Sequence, residues 1–206
     1  MKKVIVLVIT ALLVFCFAAQ CESGEYDFSS MSVEELSGMI NEAQAQLKVK
    51  LLEAANMPDS EFMATLSNLP VAVVGARCVV QSTEYKSLYP DYLQAIITNN
   101  SQDDIRDLVV AFAAWDENGM PVKLRGQYDF GSAEYIQVVT FKDANVIPGA
   151  TYGDNAGYKL AASCNVATVR AMAASYTGLN NQVWNNPYYE SFVRKYSGRK
   201  LDEAIG

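Results

Sequence analysis

Residues 105–115, IRDLVVAFAAW, are apolar on both alternating sets: Leu108, Val110, Phe112 and Ala114 on one, Val109, Ala111, Ala113 and Trp115 on the other. An extended strand sends successive side chains to opposite faces, so this stretch predicts a central strand covered on both sides. Asp116, Glu117, Asn118 and Gly119 follow directly, and Asn-Gly tolerates the positive φ at which a hairpin reverses. Something outside the neighbouring sheet must then pack on this strand. Two segments qualify, an amphipathic helix upstream and an aromatic C-terminus.

Short runs rich in Val, Ile, Thr, Tyr and Phe, separated by Gly, Pro, Asn and Asp, predict strands over 71–83, 92–99, 105–115, 122–128, 135–141, 157–160 and 166–176. About seven strands in roughly 105 residues, with no helix between them, predict a mainly β fold: an immunoglobulin-like antiparallel β-sandwich, with a small closed barrel as the alternative. The Cys, Trp, Cys landmarks of antibody domains are missing in their usual order, so the likeness is one of architecture.

The flanks read differently. Met1, Lys2 and Lys3 precede an uncharged apolar run over 4–19, which is the pattern of a signal peptide over 1–20. Cys21 after Ala18, Ala19 and Gln20 partly matches a lipobox, with Gln20 as the departure, so Cys21 is the lipidation candidate. Residues 21–31 then serve as a tether, 32–69 as a helical segment, 70–178 as the β-sandwich and 179–206 as an aromatic tail. Ser32 and Glu35 form a capping box, and Leu36, Ile40, Ala43, Leu47 and Leu51 fall on one helical face. That helix either docks on its own domain or pairs with another chain. In the tail, Asn186 and Pro187 predict the start of a short helix, Tyr189, Phe192, Val193 and Tyr196 share a face, and Gly198 ends it.

Chemistry is constrained by what is absent. The 206 residues contain no histidine, and the four cysteines, Cys16, Cys21, Cys78 and Cys164, form no CxxC pair. General-base catalysis and zinc binding lose their commonest residue. The net charge of -7 disfavours nucleic acid, whose phosphates it repels. Carboxylate pairs such as Asp103 with Asp104 would serve a glycan hydrolase only across a cleft, and they sit in predicted turns. Asp116, Asn118 and Asp154 are weak calcium candidates, because loop oxygens suit a hard cation, although their spacing matches no EF-hand. Cys78 and Cys164 are either a disulfide or two buried thiols. Trp184 and Tyr188 are the ligand-contact candidates, since flat rings offer large contact area at low entropic cost.

Three stretches, LQAIITNNSQDDIRDLVVAFAAWDENGMPVKL, NVIPGATYGDNAGYKL and VWNNPYYESFVRKYSGRKL, together resemble a bacterial family catalogued as domain of unknown function 5780, seen in cell-envelope proteins. The resemblance spans roughly 71–201 and implies an extracytoplasmic sandwich domain. It implies no activity and carries over no functional residue.

The expectation is therefore a non-catalytic, cofactor-free binding or accessory domain of the bacterial envelope, secreted or anchored at the outer face of the membrane. Its partners would be an envelope protein or a cell-wall glycan, with membrane contact only through the signal segment or a lipid on Cys21. The alternatives are an assembly protein that oligomerises through its N-terminal helix and, more remotely, a glycan-acting hydrolase.

Overall fold

The fold is taken from a computed structural model that describes residues 28–205; the expected signal peptide over 1–20, the lipidation candidate Cys21 and the first residues of the expected tether lie outside the described residues. The chain divides into two compact units, 1–52 and 53–206, with the boundary inside the first α-helix.

In the first unit a 3-10 turn, Phe28–Ser30, leads into α1 (Val33–Asn56), whose last four residues belong to the second unit. The capping box forms as expected: the Ser32 backbone N–H donates to Glu35 Oε2 at 2.8 Å, and the Glu35 N–H donates to Ser32 Oγ at 3.2 Å. These bonds hold the Glu35 carboxyl below its usual range, the Ser32 backbone bond most of all. Buried positions in α1 begin only at Ala54 and Ala55. Among the described residues no helix is long and apolar enough to cross a membrane.

The second unit continues with α2 (Asp59–Ser67) and then eight strands: β1 (Val71–Val79), β2 (Tyr92–Asn99), β3 (Ile105–Trp115), β4 (Ile136–Phe141), β5 (Thr151–Tyr152), β6 (Tyr158–Lys159), β7 (Thr168–Gly178) and β8 (Val183–Asn185). It closes with α3 (Tyr189–Tyr196) and α4 (Leu201–Ile205). Two antiparallel four-stranded sheets result. One runs β1-β2-β5 with β6 also on β2, and the other runs β4-β3-β7-β8.

The long apolar strand is central, as its double pattern requires, pairing with β4 on one side and β7 on the other. Its Leu108, Val110, Phe112 and Ala114 face the core between the sheets, where Leu93, Ala95 and Ile97 of β2 meet them. Its other set, Ala111, Ala113 and Trp115, belongs to a second core with Phe62 and Leu66 of α2 and Phe192 and Tyr196 of α3. Small residues on that face let the helices approach closely, and each buried large side chain contributes about 2 kcal/mol. The aromatic tail is thus a cover for β3, joined by α2 and by Ala54.

The strand expected over 122–128 does not form. Its residues make isolated bridges instead, Leu124 to Glu134 and Gly126 to Leu160, after Trp115 bridges Pro121. Proline removes a ladder donor, and a segment bridged alternately to two different neighbours has no continuous partner. Strands β5 and β8 were not anticipated, being two and three residues long. The tail helix starts at Tyr189 rather than at Pro187, because Asn186 Oδ1 accepts from the Tyr188 N–H at 2.9 Å in a turn that precedes it. Gly198, at φ 67°, ends the helix as expected.

Candidate functional site

The residues singled out in sequence are dispersed. Trp184 on β8 stacks on Tyr176, ring centroids 5.5 Å apart and 22° from parallel, so one ring face is already covered. Tyr188 packs edge-on against Phe62 at 6.4 Å. Tyr188 packs against the helix-covered core, and Trp184, half-buried, packs against both cores. Asp116 Oδ1 accepts the backbone N–H groups of Asn118 and Met120 at 2.9 and 2.8 Å, which builds the hairpin turn with Gly119 at φ 70°. Asp154 lies in the turn after β5, where its carbonyl accepts from Gln94 Nε2 at 2.8 Å. Among the described residues no three His, Cys, Asp or Glu side chains gather as metal ligands.

Cys78 and Cys164 are free thiols in the core between the sheets. Burial pushes the Cys78 thiol up to about 11, with the nearby Asp91 carboxylate adding to the effect, which suits an inert side chain better than a nucleophile. Asp103 Oδ2 accepts from the Tyr176 hydroxyl at 3.1 Å.

A polar cluster around Asp59 gave no signal in the sequence. Asp59, at the first position of α2, receives Arg170 Nη2 at 2.8 Å and Nε at 3.1 Å, and the Tyr196 hydroxyl at 2.5 Å. Burial is the largest single influence on Arg170 and opposes its charge, but the hydrogen bond and charge of Asp59 together with Tyr196 outweigh it and hold the guanidinium above its ordinary value. Lys195, 4 % exposed, donates to the Met57 carbonyl at 2.6 Å. A groove of about 150 Å3 beside Arg170, between the bulge of β1 at Val73 to Gly75 and Val169 of β7, is lined mainly by aliphatic side chains. Every buried side-chain nitrogen or oxygen among the described residues has a partner. Asp59, Arg170 and Tyr196 tie three elements of the fold together.

Exposed large apolar side chains are spread over the described residues, and two loops hold several of them. Two loops, 80–91 and 126–134, carry Tyr85, Leu88, Tyr89, Tyr128 and Phe130 at 58, 72, 56, 79 and 96 % exposure. The loops are joined: Gln127 Nε2 donates to the Ser87 carbonyl at 3.2 Å, and the residues that follow those two are Tyr128 and Leu88. Both loops are braced from within. Asp91 takes Lys86 Nζ at 2.9 Å and the Gln81 N–H at 3.3 Å, the Ser82 hydroxyl accepts the Tyr85 N–H at 2.9 Å, and Asp129 Oδ1 accepts the Gly131 N–H at 2.8 Å. The Gln127 N–H donates to the Lys159 carbonyl at 3.0 Å, fixing the second loop to β6. These side chains project from hydrogen-bonded loops and are open to contact. Sequence reading passes over them: Tyr128 falls at the end of the expected strand 122–128, and the others stand in turns and loops between expected strands.

Comparison with known proteins places the chain in a family and a fold and speaks to no activity. A family of unknown function (DUF5780) matches residues 92–199, a shorter stretch than the sequence resemblance suggested. No curated protein matches the chain. A crystal structure of a hypothetical protein from Peptoclostridium difficile 630 is 14 % identical, covers 68 % of this chain and 99 % of its own, and superposes with a TM-score of 0.53. That likeness speaks for the fold alone.

Proposed function

The chain belongs to the DUF5780 family of unknown function, and on that premise we propose that it is a non-catalytic binding or accessory domain of the bacterial envelope, immunoglobulin-like in architecture and acting outside the cytoplasm. The export pattern at 1–20, with Cys21 as an acyl acceptor or a plain residue after cleavage, supports the compartment. What carries the reading is the pair of braced aromatic loops. Five large apolar side chains stand exposed there on loops braced by hydrogen bonds of Gln127 and Asp129. Exposed apolar surface of this kind marks contact sites rather than reaction sites.

The domain works by contact: the two sheets hold the loops rigid, and the loops present rings to a partner. Co-sedimentation of the purified protein with isolated Gram-positive cell envelopes tests this. Retention of the wild type, and its loss in Tyr128→Ser/Phe130→Ser, is the expected result. Retention unchanged by the double substitution would move the contact surface elsewhere, and failure of the wild type to sediment would remove the envelope-binding reading.

A further inference from the structure

A sheet that ends in water exposes a row of unpaired N–H and C=O groups, and folds blunt such edges with short strands, bulges, proline or charge. Three of the four edges here are treated so. Strands β5 and β6 are two residues each, β8 is three, and β1 is interrupted by the bulge between Val73 and Gly75. The fourth edge is left plain. β4 has six residues, pairs with β3 in an unbroken register and has no second neighbour among the described residues. Over 135–141 the chain reads YIQVVTF, without charge, proline or glycine and rich in β-branched and aromatic residues.

The hydrogen bonds of β3 say which groups of β4 face outward. The Trp115 carbonyl accepts from the Ala167 N–H at 2.8 Å on the β7 side, and the Ala114 carbonyl accepts from the Val122 N–H at 2.9 Å on the other side. Backbone groups alternate along a strand, so Leu108, Val110 and Phe112 turn theirs toward β4, where their partners are Phe141, Val139 and Gln137. Ile136, Val138 and Thr140 therefore aim their N–H and C=O groups away from the sheet. Among the described residues one of these groups is bonded, the Val138 carbonyl, which accepts from the Gln137 side-chain amide at 3.3 Å. Val138 is 42 % exposed.

The partner that such an edge fits is another strand, whose backbone supplies donors and acceptors at the same spacing. This edge is complementary to itself. Laid antiparallel about Val138, two copies set Val138 opposite Val138 and Ile136 opposite Thr140, so outward-facing residues meet outward-facing residues and form about six hydrogen bonds. A slip of one residue destroys that match. Charge selects the same direction. Glu134 precedes the strand and Lys142 follows it, so an antiparallel pair brings each glutamate to the lysine end of the other copy, whereas a parallel pair would set like charges side by side. Behind them Lys123 stands over the Tyr135 ring at 5.2 Å, and Arg106 is paired with Asp107 next to Asp143, so neither end accumulates one sign.

We infer that β4 pairs with the β4 of a second copy, antiparallel about a two-fold axis at Val138, so that two four-stranded sheets become one continuous sheet across the dimer. The inference goes beyond the loop surface described above and stands or falls without it.

Sedimentation equilibrium of the full chain purified from its own cells, together with cysteine capture, tests it. The wild type is expected at the mass of two chains in the micromolar range. Val138→Lys sets two like charges directly opposite each other and is expected to weaken association by roughly tenfold or more with circular dichroism unchanged. Under mild oxidation Val138→Cys should be captured as a disulfide-linked dimer above the wild-type background, since directly opposite, hydrogen-bonded residues stand ~5.5 Å apart at Cα. Thr140→Cys, ~14 Å from its own copy in this register, should not be captured. A monomeric wild type overturns the inference. So does a dimer indifferent to Val138→Lys, or capture through Thr140→Cys in place of Val138→Cys. If Val138→Lys fails to fold, the two cysteine variants decide by the same readings.

Discussion

The Tyr196 hydroxyl donates to Asp59 Oδ1 at 2.5 Å across 137 residues of sequence, and the same carboxylate receives the Arg170 guanidinium. One acidic side chain thereby ties the start of α2, the strand β7 and the end of α3 over the outer face of β3. Tyr196 completes the join with its ring, 5.8 Å from Trp115 and 4.7 Å from Phe192.

Removing the hydroxyl leaves the ring contacts and deletes one charge-assisted bond. Tyr196→Phe should cost about 2 kcal/mol, and Asp59→Ala, which strands both Arg170 and Tyr196, about 3 kcal/mol after allowance for the partial exposure of Arg170. Urea unfolding of both variants and of Asp59→Ala/Tyr196→Phe checks it. The double variant should fall short of the sum of the singles, and strict additivity would mean the two groups do not interact.

Trp115 is fully buried, with its indole N–H donating to the Arg199 carbonyl at 2.8 Å. It is one of only two tryptophans, the other being the partly exposed Trp184 on β8. In Trp184→Phe the remaining emission should be blue-shifted and barely quenched by acrylamide. Ending the chain after Asn186 in that background should shift the emission to the red, because it removes α3, α4 and the Arg199 acceptor. An unshifted spectrum would contradict the covering role given to the tail.

Gly153 has φ 119°, and a Cβ built there would lie 1.9 Å from the Ala95 carbonyl oxygen. Neither the backbone angle nor the contact leaves room for a side chain. Gly153→Ala should cost more than about 3 kcal/mol or prevent folding, whereas Gly149→Ala, also at positive φ but facing open space, should cost about 1 kcal/mol. Similar thermal midpoints for the two variants would refute the close approach of the β5 turn to β2.

The Cys78 thiol, raised by burial from 9.0 to about 11, binds its proton more tightly in the folded chain than in the unfolded one. Its contribution to stability is therefore complete below pH 9 and is lost as pH climbs toward 11. Tyr196 is raised as well, by burial first and then by its bond to Asp59, which carries the loss further into alkali. Wild-type stability in urea should drop between pH 9 and 11 by up to about 2 kcal/mol more than that of Cys78→Ala. Parallel pH profiles would show that the thiol does not titrate in this window.

Sequence alone determined the elements whose causes are local. The double apolar pattern of 105–115 made β3 central, the Asp116 to Gly119 turn reversed the chain after it, Ser32 with Glu35 capped α1, and Gly198 ended α3, because each depends on neighbours within a few residues. Membership in the family was legible for the same reason, in ordered stretches of sequence. Tertiary structure decided the rest. Segment 122–128 lost its strand because its partners, Glu134 and Leu160, come from different parts of the chain, and Trp184 and Tyr188 found ring partners in Tyr176 and Phe62, contacts that close only on folding. The Asp59 cluster and the joining of the 80–91 and 126–134 loops are pairings over 111 and 40 residues. No periodicity encodes such pairings; they exist only once burial has brought the partners together and required every enclosed polar group to find one.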